Sequence, residues 1–151
     1  MAESSGDVVK RYLEDAIAAE KSFERQLLEF AKDSDYGPAK AAFQQHALEI
    51  RHQHERLLAR LEALGGSSSG GKSLLAHVFG NSPKTYADHL FTAFGVDSGA
   101  VAMYESLAMM AEAAGDTETV SLARAIQAEK KTAAAHTWAL LPDAALHQSS
   151  R

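Results

Sequence analysis

The sequence contains no cysteine. That excludes disulfides, thiolate metal sites and cysteine nucleophiles, and it fits a reducing compartment. Proline occurs only three times in 151 residues, and no segment alternates apolar and polar residues as a half-buried strand would. No apolar run approaches the roughly 18 residues that a membrane span needs. The N-terminal stretch "MAESSGDVV" has no basic region followed by an apolar one, so no signal peptide is expected and a cytoplasmic protein without a membrane partner is. Basic charge is also in short supply. Fifteen Lys and Arg stand against twenty Asp and Glu, for a formal net charge of -5 and a pI near 5.8. A binder of the nucleic-acid backbone normally carries a basic face, so no nucleic-acid partner is expected.

What is present is helical. Ala, Leu, Glu, Lys and Gln dominate, and apolar residues recur at helical spacing. The spacing predicts a first helix from about Asp7, as N-cap, to Asp33, with Val9, Leu13, Ala16, Phe23, Leu27 and Phe30 facing inward. A turn "DSDYGP" leads to a second helix from Pro38 to Leu64, with Phe43, Ala47, Ile50, Leu57, Leu61 and Leu64 inward, ended by Gly65 and Gly66. A third is predicted over Pro83–Ala114, with Leu90, Phe94, Val101, Tyr104, Ala108 and Ala111 inward, and a kink is possible at Gly95 or Gly99. Trp138, like Tyr104, reads as core packing, and Met103, Met109 and Met110 as core or seam filler. Asp116 caps a fourth helix that Pro142 stops after Leu141; Leu122, Ile126, Ala133 and Leu140 face inward, and the tail 143–151 is expected to be mobile.

The first and last pairs of helices are joined by short turns and so form antiparallel hairpins. The connection between the second and third, roughly residues 65–82, is long. A helix of about 27 residues spans about 40 Å, and a linker of this length, with "SLLAHVF" as an extra short helix, can carry the chain back along the bundle. The expected fold is therefore all-α: one ferritin-like four-helix-bundle domain over residues 1–151 with a long 2–3 crossover. An up-down-up-down bundle stays open. Within the linker, residues 66–73 read "GSSSGGKS", a match to the P-loop G-x-x-x-x-G-K-[ST]. A working P-loop follows a β-strand and opens a helix in a parallel sheet. This one follows a helix in an all-α chain, so it reads as a flexible linker and no nucleotide is expected.

The informative residues are charges in apolar stripes. Glu20 keeps the 4-3-4-3 rhythm between Ala16 and Phe23; Asp97 does so between Phe94 and Val101, and Glu129 between Ile126 and Ala133. His46 and His54 fall on the core face of the second helix, with Glu49 at its edge, and His136 follows Glu129 by one heptad. Carboxylates on a core face are costly unless paired or metal-bound. Several near mid-helix resemble the carboxylate and histidine clusters that hold hard or borderline cations in bundle cores. Simpler explanations exist for each residue. Glu20 can pair with Lys21 or Arg51 at a helix seam, Glu129 can form a surface ion pair, Asp97 can cap a broken third helix, and His54 or His136 can be a hydrogen-bonded core residue.

The segments "AEKSFERQLLEFA" (19–31), "FQQHALE" (43–49), "AMYESLAMMAEAAG" (102–115) and "IQAEKKT" (126–132) together resemble the YciE/YciF-type ferritin-like proteins, over roughly residues 8–141. The resemblance implies a rubrerythrin-like four-helix bundle with an extra short helix, a homodimer, a stress-related role and a di-metal carboxylate site. It implies metal ligation by Glu20, by His46 and Glu49 as an H-x-x-E pair, and by Glu129, with Asp97 as a further ligand. Iron or manganese would be the metal, in a di-metal or mononuclear site, with chemistry toward oxygen or peroxide. Two departures thin that site: Ala100 stands where the family has a second acid on the third helix, and Thr132, Ala133 and Ala134 fill the region where it has another on the fourth. One metal is then easier to hold than two. The alternative is a non-enzymatic bundle that kept the fold, lost the metal and works through dimerisation or a partner surface.

Overall fold

The computed structural model describes residues 3–68 and 86–149. Four long helices account for nearly all of them: α1 (Ser5–Asp33), α2 (Gly37–Ala63), α3 (Tyr86–Ala113) and α4 (Thr117–Ser149). Ser4, not Asp7, caps α1, its side chain accepting from the Asp7 backbone N–H at 3.1 Å; Asp7 sits inside the first turn, where its charge favours the helix dipole. Between α3 and α4, Gly115 takes a positive φ of 72°, a conformation a side chain resists. The Asp116 N–H then reaches back to the Ala111 carbonyl at 2.9 Å, closing α3, while the Asp116 carboxylate accepts from the Thr119 N–H at 3.1 Å and opens α4.

Cross-helix contacts fix the directions. Arg60, at the end of α2, bonds Asp116 and Thr119 at the start of α4, whereas Gln53, further back, bonds Glu129. Helices α2 and α4 are therefore antiparallel, and since α4 also runs against α3, α2 and α3 are parallel. That is the direction the one-crossover topology requires. The extra short helix, most of the crossover and the "GGKS" half of the P-loop-like stretch fall at residues 69–85, outside the described residues.

The structure extends α4 beyond the expected stop. It continues through Pro142 to Ser149. Proline removes one helical hydrogen bond, but tertiary packing outweighs that loss. Ala144 is fully buried against the cluster that includes Phe30, Phe43 and Leu90, with Leu140 and Leu141 beside it, and the His147 ring lies 4.7 Å from that of Tyr36. Residues 143–149, expected to be a mobile tail, are thus helical.

The interior is split in two. One apolar cluster gathers Val9, Leu13, Ile17, Leu57, Leu61, Leu107 and Ile126; the other gathers Phe23, Leu27, Phe43, Ile50, Leu90 and Val96. Between them runs a buried polar belt: Glu20, His46, Gln53, Asp97 and Lys130. Of the mid-helix interruptions of the apolar stripes, Glu20, His46 and Asp97 belong to this belt.

Candidate functional site

Glu20 lies at the centre of the belt, 1% exposed. Its neighbours on the α1 stripe, Ile17 and Phe23, are buried as well, so helical geometry leaves the carboxylate nowhere else to point. Both of its oxygens are taken. Tyr104 on α3 donates its phenol O–H to Oε1 at 2.8 Å, and Lys130 on α4 donates from Nζ to Oε2 at 2.7 Å. Lys130 is 0% exposed, and its Nζ also sits 5.6 Å from the centroid of the Phe23 ring. A buried carboxylate demands a partner, and the chain supplies two. Burial, with Glu20 adding to it, pushes the Tyr104 phenol well above its ordinary value, so Tyr104 stays a neutral donor.

A second buried pair lies beside the first. His46 Nε2 on α2 is 3.0 Å from Asp97 Oδ1 on α3. Its ring also packs edge-on against Phe23, 5.3 Å between centroids, so Phe23 touches both pairs. Asp97 is 0% exposed in the middle of a continuous α3, which rules out its role as a cap. Neither Asp97 oxygen finds a hydrogen bond of good geometry despite the short contact with His46. Burial raises the Asp97 pKa above the ordinary 3.8, opposed by His46 and Lys130. The native state therefore binds this proton more tightly than the unfolded chain does, and stability contributed by Asp97 falls as pH rises from 3.8 through the raised native value. Asp97→Asn is expected to flatten that slope in urea-unfolding series taken between about pH 4 and about pH 7.

The other expected ligands lie elsewhere. Glu129 is not inward. Its half-exposed carboxylate takes a two-pronged contact from Arg56, at 2.9 and 3.0 Å, and a hydrogen bond from Gln53 at 3.1 Å. Burial pushes its pKa up, but the Arg56 and Gln53 hydrogen bonds prevail and hold it below the ordinary value. Glu49 shares an open groove of about 410 Å³ with Ala128, Glu129 and Thr132, and its nearest polar partner is Gln45 at 3.4 Å. The structure thus brings Glu20 into the belt with Lys130 and Tyr104, and His46 together with Asp97. It leaves Glu49 and Glu129 on the α2–α4 surface. His136 is exposed and His54 half-buried.

The inward face of α4 runs Thr119, Ala123, Ile126, Lys130, Ala133 and Thr137, one position from the expected one at its centre. Sequence reasoning missed Lys130 because Leu122 and Leu140, both only partly buried, drew the stripe through Glu129. It also missed His89, buried and stacked 4.0 Å from Phe30. Trp138, expected in the core, is exposed, as are Met109 and Met110.

The donor set does not fit a di-metal carboxylate centre. Such a centre needs about four carboxylates converging with one or two histidines, and among the described residues no three His, Asp or Glu side chains gather as a metal-holding group. Cationic side chains take the carboxylates instead: Lys130 on Glu20 and Arg56 on Glu129. Among the described residues no helix is long and apolar enough to cross a membrane.

Residues 5–149 match the family described as DUF892, a domain of unknown function. Solved structures with the same fold include a protein of Xanthomonas campestris at 21% identity (TM-score 0.82, covering 95% of this chain and 94% of that one). The stress protein YciF of Escherichia coli matches at 22% identity (TM-score 0.79, covering 95% and 98%). A ferritin-like, diiron-carboxylate protein of Bacillus anthracis matches at 15% identity (TM-score 0.81, covering 93% and 99%). No curated protein matches the chain. The four-helix bundle is therefore ferritin-like.

Proposed function

We propose, from the premise that this chain belongs to the DUF892 family of YciF-type proteins, that it is a ferritin-like bundle working without a resident core metal, through association with a second copy of itself. One observation carries the reading: Glu20, the buried carboxylate at the centre of the belt, is neutralised by Lys130 at 2.7 Å. A lysine ammonium repels a cation from the same seat, and it fills the space a metal would need. Redox chemistry toward oxygen or peroxide has no support from such a core, so the role is one of scaffold and surface.

The surface favours self-association. On α3 and α4, Phe91 and Trp138 are 64% and 63% exposed, and Trp138 packs 5.4 Å from Phe94, one turn along from Phe91. Exposed aromatic strips of this kind mark interfaces. The Escherichia coli relative is called a stress protein, and the same reading extends a stress-related role to this chain.

The reading is tested on protein purified without a histidine tag. No stoichiometric iron or manganese is expected, and light scattering is expected to show a dimer that Trp138→Ser weakens. Stoichiometric metal that disappears in Glu20→Ala would overturn the metal-free reading. A monomer at high concentration would overturn the dimer.

A further inference from the structure

The Lys130 side chain ends in a seat with a defined chemistry. The seat has one carboxylate oxygen, Glu20 Oε2, at 2.7 Å, and an aromatic ring, Phe23, at 5.6 Å. Tyr104 holds the other oxygen of Glu20, which fixes the carboxylate's orientation. Asp97 is close enough for the charge of Lys130 to act on it. A carboxylate beside an aromatic ring is the combination that recognises an organic ammonium ion. It is a poor match to a hard divalent cation, which seeks six or more oxygens. His46 and Asp97, the nearest further donors, are turned toward each other.

We propose that the core of this bundle is an ammonium-binding site that the chain occupies with its own side chain, and that residue 130 alone decides whether the site is filled from within or open to a free primary alkylammonium ion. This deepens the metal-free reading and rests on it. Lys130→Ala removes three methylenes and the ammonium group, the atoms that propylammonium would return. Glu20 then supplies the charge and Phe23 the ring face for the incoming ion.

The test measures the thermal midpoint of Lys130→Ala in propylammonium chloride, in sodium chloride of equal ionic strength, in propanol and with manganese(II). The midpoint is expected to rise in propylammonium and not in the other three. The same salt is expected to leave wild type and Glu20→Leu/Lys130→Ala unmoved. If Lys130→Ala is unfolded alone, propylammonium is expected to restore its helical circular dichroism signal. An equal response to sodium chloride or propanol, a response that survives loss of Glu20, or no response overturns the proposal. So does stabilisation by manganese(II) in place of the amine. Wild type that carries stoichiometric metal would instead overturn the reading beneath it, so the two failures are distinguishable.

Discussion

Lys130→Met is expected to lower the unfolding free energy by about 3–5 kcal/mol, read as a lower urea midpoint with an unchanged slope. Met keeps most of the stem that packs beside Phe23, so lost volume contributes little. The loss comes from Glu20, 1% exposed and stripped of its counter-ion, with the Tyr104 hydroxyl as its remaining hydrogen-bond partner among the described residues. A buried charge stripped of its counter-ion is among the costliest single changes a protein core can suffer. Lys21 and Arg51, the partners that the sequence suggests for Glu20, offer no relief. Lys21 is exposed, and Arg51 is engaged with Glu24 at 2.8 Å on the bundle surface.

Tyr104→Phe is expected to cost about 1.5–3 kcal/mol, the range for a hydrogen bond to a charged group. The ring is retained, so the packing of the surrounding cluster of Leu13, Ile17 and Leu57 is preserved, and the deficit isolates the O–H donated to Glu20 Oε1 at 2.8 Å. The two losses should not add. In Lys130→Met the carboxylate has already lost its cation, and removing Tyr104's donor as well acts on the same group, so the double variant reports a coupling rather than a sum.

Much of the fold was legible because three helices carry their inward faces in plain hydrophobes. Val9, Leu13, Ala16, Phe23, Leu27 and Phe30 on α1 are all buried, and Glu20 is buried in the rhythm between them. Phe43, Ala47, Ile50, Leu57 and Leu61 do the same on α2. On α3, Leu90, Tyr104, Ala108 and Ala111 are buried as expected, while Phe94 and Val101 lie at the edge. The fourth helix is different. Its inward residues include Thr119, Ala123, Ala133, Ala134 and Thr137, small or polar groups that a hydrophobicity pattern weighs lightly, while larger Leu122, Trp138 and Leu140 sit at its flanks or in solvent. A face drawn through the large residues points Glu129 inward; a face drawn through the small ones points Lys130 inward. Close helix packing selects the small ones. That one-residue difference turns a prospective ligand into a counter-ion and is the reason the site reads differently in three dimensions. The end of α4 shows a similar limit: Pro142 is a local stop signal, and only the burial of Ala144 from outside the helix shows why it fails to act.

The central claim, that Glu20 and Lys130 neutralise each other inside the bundle, is tested most directly by a double-mutant cycle of unfolding free energies for wild type, Glu20→Leu, Lys130→Met and the double variant. Each single change is expected to cost about 3–5 kcal/mol, and the double variant to recover to within about 1 kcal/mol of wild type or to exceed it, because an apolar pair replaces a buried ionic one. Losses that simply add, or a Lys130→Met protein as stable as wild type, would contradict the account.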